Sequence, residues 1–449
     1  MANVTIIGSG YVGLVSGVCL AVVGHDVTCV DLRASVVNAI NDGHAPFFEP
    51  GLPERLREVR EAGRFRASLD LQAAVASSSI VMIAVGTPST EAGIDLSAVV
   101  GASEQIGQAM ARAPKYRVVV VKSTVVPGTT EDVVGPAVAR ASGLSVGEFG
   151  LCMNPEFLRE GAAVSDFLVP DRVVIGANDA RASEVVASMY APFACPIVRT
   201  TPRNAELIKY TANALLATLI SFSNEVAGLC ERIPGADVDM VMDGVHLDRR
   251  LTPVVDGRRI RPDVQSYLRA GSGFGGSCFP KDVKALQQFA AATPAPTPML
   301  DAVLSINARR PTEVAALADR LTGGLAGKVV ALLGLTFKPD TDDLRESPAL
   351  ALAAALSARG AVLRAYDPLY ADDTHPWTGP DIPRTATAAD ALAGADLAVL
   401  ATGWPQFRTL DWAAAAATMR TPVVLDARNA FREVAWPETI RYVRVGLGL

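Results

Sequence analysis

The stretch Val4-Thr-Ile-Ile-Gly-Ser-Gly-Tyr-Val-Gly13 joins a short β-branched run to a Gly-x-Gly-x-x-Gly turn that opens a helical pattern. A second β-branched run, Val27–Val30, ends at the acidic residue Asp31. Strand, glycine turn, helix and a second strand that ends in an acid are typical of the first βαβ unit of a dinucleotide-binding sheet. The sequence therefore predicts an α/β fold from its first residues.

The glycine turn predicts how a dinucleotide would be held. Gly8 and Gly13 allow a tight turn and close helix packing, and Gly10 lets the backbone approach a pyrophosphate beside the amide donors of the helix. Asp31 would accept from ribose hydroxyls and repel a 2′-phosphate, which favours NAD over NADP. The alternative is a purely structural glycine turn. The predicted cofactor-binding residues here are Gly8, Gly10, Tyr11, Val12, Gly13, Asp31 and the neighbouring Arg33.

The composition narrows the class of protein. The chain has 449 residues, of which 50% are apolar and 20% are charged, so two or three domains with sizeable cores are expected. The formal net charge of −6 argues against a general nucleic-acid binder. No apolar stretch is long enough to span a bilayer and no leader precedes the first strand, so a cytoplasmic location is expected.

Neither a metal site nor a disulfide framework is indicated by the cysteines and the four histidines. The histidines lack zinc-ligand spacing, and no two cysteines form a Cys-x-x-Cys pair. The six cysteines are scattered along the chain: Cys19, Cys29, Cys152, Cys195, Cys230 and Cys278.

Alternation of strand and helix patterns predicts three regions. Residues 1–200 should form a parallel sheet covered on both faces, residues 201–310 a helical and dimerisation region, and residues 311–449 a second Rossmann-like domain. Apolar spacing between Asn204 and Glu231 predicts a long helix that joins the two α/β domains. The predicted strands of the first domain are Val4–Ile7, Val27–Val30, Ile80–Val85, Val118–Val121 and Arg172–Ile175.

The second α/β domain repeats the strand patterns of the first but lacks its Gly-x-Gly-x-x-Gly motif. Val329-Val-Ala-Leu-Leu-Gly334 resembles the opening strand and turn, and Val362-Leu-Arg-Ala-Tyr-Asp367 resembles the strand that ends in Asp31. Because no Gly-x-Gly-x-x-Gly follows, this domain should bind something other than a dinucleotide, unless the echo reflects only shared strand chemistry.

Hydroxyls and carboxylates follow several predicted strands. Thr87 and Thr124 lie just after strand ends, where they could contact a cofactor or merely cap helices. Glu156 and Glu160 would share one face if Pro155 started a helix, and such paired acids could transfer protons, although a solvated helix start is the commoner explanation.

Two polar side chains interrupt the long apolar helix. Lys209 and Asn213 are four residues apart, which places an amine and an amide on one side of the helix. Such groups could stabilise developing charge on an oxygen, or they could form an ordinary surface stripe.

Cys278 lies in Gly273-Phe-Gly-Gly-Ser-Cys-Phe-Pro-Lys-Asp282, before a predicted helix start at Pro280. Helix amides and Lys281 would favour its thiolate, and Asp282, one helical turn on, could accept a proton or orient a water. A thiol beside a nicotinamide can trap an aldehyde and release a second hydride, so alcohol-to-acid oxidation is predicted. The other five cysteines are expected to be small buried apolar groups.

Taken together, these segments resemble the UDP-glucose/GDP-mannose dehydrogenase family over nearly the whole chain. The resemblance implies NAD-dependent four-electron oxidation at C6 of a nucleotide sugar, with UDP-glucose favoured, by a homodimer that associates through the long helix. The motifs that carry it are GSGYVG (8–13), FFEPGL (47–52), VGTP (85–88), KSTVVPGT (122–129), NPEFLREG (154–161), ELIKYTANALLA (206–217), GFGGSCFPKD (273–282) and GLTFKPDTDDLRESP (334–348).

The resemblance also implies roles for individual residues. Cys278 would be the nucleophile, Asp282 would help to activate the thiol or a water, and Glu156 would act in thioester hydrolysis. Thr124, Lys209 and Asn213 would support the oxyanion and an ordered water. Thr87, Thr124, Glu160, Lys281 and Arg345 would face NAD. The nucleotide-sugar site would include Glu156, Phe157, Leu158, Arg159, Glu160, Lys209, Asn213, Tyr267, Leu268, Arg269, Gly271, Gly275 and Lys338.

Several alternatives stay open at this point. GDP-mannose, or a relaxed range of nucleotide sugars, is the second candidate substrate. A silent nucleotide-sensing protein would be expected to lack the thiol or the lysine, and a plain hydroxyacid dehydrogenase would not need Cys278. The arginine-rich segment 245–265 is longer than is usual in the family and could reach a partner subunit or form a solvated face: Arg249, Arg250, Arg258, Arg259 and Arg261.

Overall fold

The computed structural model describes residues 1–90, 93–291, 293, 296–372 and 377–449. The chain forms two compact units, Met1–Ala212 and Asn213–Leu449. Each unit contains a sheet of mainly parallel strands with helices between them, so the predicted α/β class is confirmed. No helix within the described ranges is long and apolar enough to cross a membrane.

The first unit alternates strands and helices from its first residues. Its elements are β1 (Asn3–Ile7), α1 (Tyr11–Val22), β2 (Asp26–Val30), α2 (Ala34–Asn41), α3 (Leu52–Glu61), β3 (Phe65–Ser68), α4 (Leu71–Ser77), β4 (Ile80–Ile83), β5 (Ser89–Thr90), β6 (Gly93–Ile94), α5 (Ser97–Arg112), β7 (Val118–Val121), a π-helical turn (Thr130–Val134), α6 (Gly135–Ser142), β8 (Gly150–Met153), α7 (Ala163–Leu168), β9 (Val173–Ala177), α8 (Ala180–Met189) and β10 (Ile197–Thr200).

Eight strands form the sheet of this unit, in the order β10-β9-β8-β7-β4-β1-β2-β3. Alternate residues of β7 enter different cores, since Val118 and Val120 pack on one face and Val119 and Val121 on the other. The sheet is therefore covered on both faces, as predicted. All five predicted strands are present, whereas β3, β8 and β10 were not predicted.

One part of the parallel-sheet prediction is wrong. Strand β9 runs antiparallel to β8, with Cys152 opposite Ala177. A parallel return needs a crossover long enough to carry the chain back along the sheet. The connection from β8 to β9 instead contains loop 154–162 and the six-residue helix α7, and the chain re-enters the sheet from the same edge.

The long helix α9 spans Pro202–Cys230, within two residues of the prediction at its start and one at its end. Pro202 suits the first turn of a helix, where its missing N–H has no partner to lose. Near this end the buried carboxylate of Glu206 accepts from the amides of Gly128 at 2.6 Å and Thr130 at 2.8 Å. The helix is thus anchored to the loop that follows β7.

The second unit contains the remainder of α9 and a five-stranded parallel sheet, in the order β14-β13-β15-β16-β17. Strands β13 and β14 fall on the two runs quoted above, whereas β17 was not predicted. The elements are α10 (Val238–His246), β11 (Val254–Val255), β12 (Arg258–Arg259), a 3₁₀ turn (Asp263–Tyr267), α11 (Phe279–Ala291), α12 (Pro298–Thr322), β13 (Val329–Leu333), α13 (Pro348–Ser357), β14 (Val362–Tyr366), α14 (Ala388–Leu392), β15 (Leu397–Leu400), a 3₁₀ turn (Pro405–Arg408), α15 (Trp412–Thr418), β16 (Val423–Asp426) and β17 (Arg441–Arg444).

The arginine-rich segment forms an exposed hairpin that was not predicted. Strands β11 and β12 pair antiparallel around Asp256 and Gly257, whose φ angles are 50° and 75°. Asp-Gly with two positive φ angles is the usual two-residue hairpin turn, so the signal was present in the sequence.

Gly13→Ala should destabilise the first unit. A Cβ at this position would lie 1.9 Å from the carbonyl oxygen of Gly8, so the turn would have to open. We expect a loss of about 3 kcal/mol in the free energy of unfolding. Gly101→Ala is the matched control, because a Cβ inside α5 meets nothing within 4 Å and should stabilise by up to about 1 kcal/mol. Chemical denaturation measures both, and equal stabilities would contradict the expectation.

Candidate active site

The dinucleotide turn packs closely on the sheet at its first glycine and leaves space beside its middle glycine. Gly8 has φ +100°, and a Cβ there would lie 2.7 Å from the carbonyl oxygen of Ala84. A Cβ at Gly10 would meet nothing within 4 Å, so space remains above the middle glycine. The buried hydroxyl of Ser9 has no hydrogen-bond partner among the described residues. Open space, an unused hydroxyl and the amides at the start of α1 fit a pyrophosphate.

Asp31 lies beside this turn in a charged state. Its carboxylate accepts from the Ser9 amide at 3.1 Å and from the Arg33 guanidinium at 3.2 Å. Burial alone would raise its pKa, but the hydrogen bonds from Arg33 and Ser9 hold the pKa of Asp31 below its usual value. An ionised carboxylate at the end of β2 suits ribose hydroxyls and repels a 2′-phosphate, so the residues present fit NAD.

The two predicted threonines meet at one edge of the sheet. Strands β4 and β7 are neighbours, and the Thr87 hydroxyl donates to the carbonyl oxygen of Thr124 at 2.8 Å. Neither residue caps a helix, because α5 begins at Ser97 and the π-helical turn begins at Thr130. The capping alternative is therefore excluded.

Loop 154–162 does not contain the predicted helix. The chain is irregular after β8, and α7 begins only at Ala163, so Glu156 and Glu160 do not lie on one helical face. The cause lies in the contacts of Glu156, which turns inward to pair with Lys209 at 2.8 Å and accepts from the Leu158 amide at 2.6 Å. The ion pair of Glu156 with Lys209 therefore overrides the local tendency of Pro155 to start a helix.

The Glu156–Lys209 pair is almost fully buried. Their side chains are 5% and 3% exposed, respectively. Burial would raise the pKa of Glu156, but the ammonium group of Lys209 lowers it, so the carboxylate is ionised. The surface-stripe interpretation of Lys209 is wrong. The Phe157 ring lies 5.6 Å from the Lys209 ammonium group, and Arg159 forms an outer ion pair with Asp166 at 2.6 Å.

A second buried lysine supports the start of the same loop. Lys122, at the end of β7, donates to the Asn154 side-chain oxygen at 3.0 Å and to the Tyr190 hydroxyl at 3.2 Å. The Asn154 amide in turn donates to the carbonyl oxygen of Val174 at 2.8 Å. These bonds hold the backbone two residues before Glu156.

In the second unit, Cys278 immediately precedes helix α11, as predicted. The amide of Asp282 donates to the Cys278 carbonyl at 2.8 Å, and the Ser277 hydroxyl lies 3.5 Å from the Cys278 sulfur. Cys278 is half-buried, whereas Cys19 and Cys152 are enclosed and burial raises the pKa of each to about 12. Those two thiols are inert, as their predicted apolar role requires.

Each carboxylate oxygen of Asp282 contacts a side chain that was predicted to belong to the site. The carboxylate is 1% exposed, pairs with the Lys281 ammonium at 2.6 Å, and accepts from the Asn213 side-chain amide at 2.6 Å. Lys281, which was predicted to act on the thiol and to face NAD, thus lies against Asp282. Asn213, Lys281 and Asp282 form one polar cluster at the start of α11.

Buried side chains hold the glycine loop that precedes Cys278. Asn224 accepts from the Gly271 amide at 2.8 Å, and the buried guanidinium of Arg310 donates to the Gly271 carbonyl at 2.9 Å. Asn307 accepts from the Phe274 amide at 2.8 Å and donates to its carbonyl at 3.0 Å. The loop is therefore fixed on both sides by helices α9 and α12.

Gly275 and Gly276 of this loop lie very close to other parts of the protein. A Cβ at Gly275 would lie 2.0 Å from the Glu346 carbonyl, and one at Gly276 would lie 2.8 Å from the Phe337 ring. The Gly276 amide donates to the Arg345 carbonyl at 3.1 Å. These two glycines therefore let the loop pack closely against segment 334–348.

The remaining predicted residues of the second unit surround this loop and segment. Tyr267 ends a 3₁₀ turn with its ring 6.2 Å from that of Phe279, and Leu268 is 7% exposed. Lys338 lies over the Phe337 ring at 5.5 Å, and the Arg345 guanidinium pairs with Asp343 at 2.8 Å.

The second Rossmann-like sheet cannot use its acid as the first one does. Asp367, the counterpart of Asp31, is 1% exposed. Its carboxylate accepts from the amides of Leu335 at 2.7 Å and Thr336 at 3.2 Å, and from the Trp404 indole at 3.1 Å. Because these donors use the acceptor sites of the carboxylate, Asp367 is not available to accept hydrogen bonds from ribose hydroxyls. This agrees with the prediction of a ligand other than a dinucleotide.

The dinucleotide turn and the thiol loop are each typical of NAD-dependent oxidoreductases of the nucleotide-sugar dehydrogenase type. Three models of the UDP-glucose/GDP-mannose dehydrogenase family match the chain in order: the NAD binding domain at residues 2–194, the central domain at 203–309 and the UDP binding domain at 331–433. The chain belongs to this family, which confirms the predicted resemblance, enzyme class and cofactor.

Several proteins of known name are similar to this chain along nearly its full length. A UDP-glucose 6-dehydrogenase of Rhizobium meliloti (strain 1021) is 42% identical, covering 99% of this chain and 99% of the relative. One of Haloferax volcanii is 43% identical, covering 95% and 96%. The solved structure of a UDP-glucose dehydrogenase from Pyrobaculum islandicum is 38% identical, with a TM-score of 0.88, and covers 100% of this chain and 98% of that one.

Sequence reasoning missed the residues that hold the loops. Glu49 lies in the quoted FFEPGL motif but received no role, and Lys122, Asn224 and Arg310 were not singled out for one. Polar residues inside apolar segments were the available signal.

No cluster of three or more potential ligands for a metal ion occurs in the part of the chain that the structure describes.

Lys122→Met should change how stability depends on pH. Burial lowers the pKa of Lys122 to about 8, below its ordinary value of about 10.4. The folded protein therefore loses this proton before the unfolded chain does, and stability rises with pH across that interval. The free energy of unfolding of the wild type minus that of Lys122→Met should increase by about 2 kcal/mol from pH ~7.5 to pH ~10. Denaturant titrations measure this difference, and a pH-independent value would contradict it.

Proposed function

We propose that the protein oxidises UDP-glucose to UDP-glucuronate with two molecules of NAD⁺ per sugar. The observation that carries the proposal is the half-buried Cys278 at the start of α11, one turn from the buried Asp282. The overall reaction consumes UDP-glucose, water and two NAD⁺, and yields UDP-glucuronate, two NADH and three protons. Bound NAD⁺ supplies the hydride acceptor for each of the two oxidations.

Cys278 supplies the covalent step. Its thiolate would form a carbon–sulfur bond to the C6 aldehyde left by the first oxidation, which gives a thiohemiacetal. Loss of hydride from C6 then gives a thioester, and attack by water breaks the carbon–sulfur bond and returns the thiol. The aldehyde stays attached to the protein, which protects it from side reactions.

Several polar and charged side chains have groups suited to the oxygen chemistry. The Lys209 ammonium and the Asn213 amide would stabilise negative charge on the C6 oxygen, with Thr124 as a further hydroxyl donor. Glu156 is ionised and could take a proton from the attacking water, and Asp282 is the other candidate for that role.

The remaining site residues are proposed as follows. NAD would contact Gly8, Gly10, Tyr11, Val12, Gly13, Asp31, Arg33, Thr87, Thr124, Glu160, Lys281 and Arg345. The nucleotide sugar would contact Glu156, Phe157, Leu158, Arg159, Glu160, Lys209, Asn213, Tyr267, Leu268, Arg269, Gly271, Gly275 and Lys338. The division into residues 1–200, 201–310 and 311–449 and the cytoplasmic location are likewise proposals.

UDP-glucose is preferred over GDP-mannose as the substrate. The family contains enzymes for both sugars, but the two relatives described above are named for UDP-glucose and are 42% and 43% identical. Ser277-Cys-Phe-Pro280 and Thr297-Pro-Met-Leu-Asp301 also resemble the UDP-glucose members more closely.

The number of NADH molecules formed per sugar tests the reaction. With limiting UDP-glucose and excess NAD⁺, absorbance should show two NADH for each sugar consumed, and Cys278→Ala should abolish this turnover. Cys195→Ala is the matched control, since Cys195 is also only partly buried and should retain activity. One NADH per sugar would contradict the thioester route. Turnover with GDP-mannose alone would support the second substrate.

We further propose that the protein is a homodimer that associates through α9. Leu215, Phe222 and Leu229 are seven residues apart and are 56%, 50% and 58% exposed. Side chains at this spacing form one apolar stripe on a helix. Helix α10 adds the exposed Met240 and Val241. A second copy of the same stripe is the proposed cover, because a self-complementary apolar helix face suits a two-fold interface.

Phe222→Glu should convert the dimer to monomer. A carboxylate in the centre of the stripe would lose its water on association without gaining a partner. Light scattering after gel filtration measures the mass at micromolar protein. Leu69→Glu is the control, because Leu69 has a similar 55% exposure but lies in the first unit. A monomeric wild type, or a dimeric Phe222→Glu variant, would contradict the proposed interface.

A further inference from the structure

The FFEPGL motif contains a buried carboxylate with no role in the chemistry described above. Glu49 is 1% exposed. One of its oxygens accepts from the Tyr11 hydroxyl and from the Gly161 amide at 2.7 Å, and the other accepts from the Ala163 amide at 2.7 Å. Three donors thus converge on a single carboxylate, and hydrogen bonds to an ionised acceptor are about twice as strong as neutral ones.

These three donors belong to two different functional segments. Tyr11 is the first residue of α1 and follows Gly10 in the dinucleotide turn. Gly161 and Ala163 stand at the end of loop 154–162 and at the start of α7. Glu49 therefore joins the cofactor turn to the loop that carries Glu156, and all of these residues lie in the first unit.

The direction of the Tyr11 bond is fixed. Burial and the neighbouring carboxylate raise the pKa of the Tyr11 hydroxyl far above neutral pH, so the phenol keeps its proton and donates it to Glu49. The Tyr11 ring also packs on Phe47 of the same motif, with ring centroids 4.9 Å apart. A hydrogen bond and a ring contact therefore both join Tyr11 to the FFEPGL motif.

The other end of the loop is held independently. Lys122 and Tyr190 fix the Asn154 side chain, as described above. Glu156 projects from the stretch between this anchor and Glu49. A loop held at both ends keeps a reacting carboxylate in place, and an error of about 1 Å in such a position can lower a rate about 100-fold.

We propose that Glu49 is a positioning residue that fixes loop 154–162 to the cofactor turn, so that Glu156 is held ready for hydrolysis of the thioester. The inference rests on the proposed function, in particular on the role of Glu156. It predicts a defect in the hydrolytic step that is separate from the ability to form the thioester.

The test compares Glu49→Gln, Tyr11→Phe and the double variant in single-turnover and steady-state kinetics with UDP-glucose. Glutamine keeps the shape of Glu49 but replaces an acceptor with an N–H donor, which opposes the amides of the loop. We expect hydrolysis to slow about 10- to 100-fold, with a burst of NADH and a Cys278 adduct detectable by mass spectrometry after acid quenching. Tyr11→Phe should show a smaller defect of the same kind.

The double variant tests whether the two residues act as one link. It should hydrolyse the thioester no more slowly than Glu49→Gln alone, because residues of one hydrogen-bond network are not additive. Glu54→Gln is the matched control: Glu54 is 68% exposed and lies 3.7 Å from Arg57, and wild-type kinetics are expected.

Each outcome decides the inference. Wild-type hydrolysis in Glu49→Gln, or additive defects in the double variant, overturns it. A fall in rate without accumulation of the adduct would indicate a purely structural role and also overturns it. If Glu49→Gln does not fold, Tyr11→Phe alone must accumulate the adduct. One NADH per sugar in the wild type would instead overturn the proposed function itself.

Discussion

The buried ion pair between Glu156 and Lys209 is the interaction on which the path of loop 154–162 in the first unit depends. It joins the loop after β8 to the long helix α9, with both side chains at most 5% exposed. Removal of either partner would leave the other charge buried and uncompensated, at a cost of about 3–5 kcal/mol. The pair therefore fixes the path of the loop, and against the effect of burial it holds the pKa of Glu156 below its usual value. Its buried neighbour Lys122 holds the start of the same loop through neutral partners.

The two Rossmann-like sheets use the same strand–turn–acid pattern for different purposes. Asp31 accepts from Ser9 and Arg33 at the end of β2, where a ribose could reach it. Asp367 occupies the same position after β14, but the indole of Trp404 and two amides of the turn after β13 enclose it. We propose the first acid as a site for ribose hydroxyls, whereas the second acid stabilises the turn after β13 from inside the protein. The difference lies in the side chains around the acid, because the backbone pattern is shared.

The sequence predicted the fold well where the signal was periodic. The strands that begin and end the βαβ units, the long helix and the start of α11 were all predicted within a few residues. The short strands β3 and β17 have mixed polar and apolar residues, so they gave no clear pattern. Loop 154–162 was mistaken for a helix because Pro155 is a local signal, whereas the Glu156–Lys209 pair joins residues far apart in the sequence. The role of Glu49 was hidden for the same reason, since its partners Tyr11 and Gly161 are distant from it.

The support of the Cys278 loop has a consequence for biosynthesis. Arg310 joins the Gly271 carbonyl to Glu231, and Glu231 in turn accepts from the Gly446 amide at 2.8 Å. Arg428 also donates to the Gly273 carbonyl at 3.1 Å. During translation the loop emerges well before residues 428 and 446, and chains fold from the N-terminal side as they are made. Residues made long after the loop thus complete its support, so the surroundings of Cys278 reach their final geometry only once Arg428 and Gly446 have been synthesised.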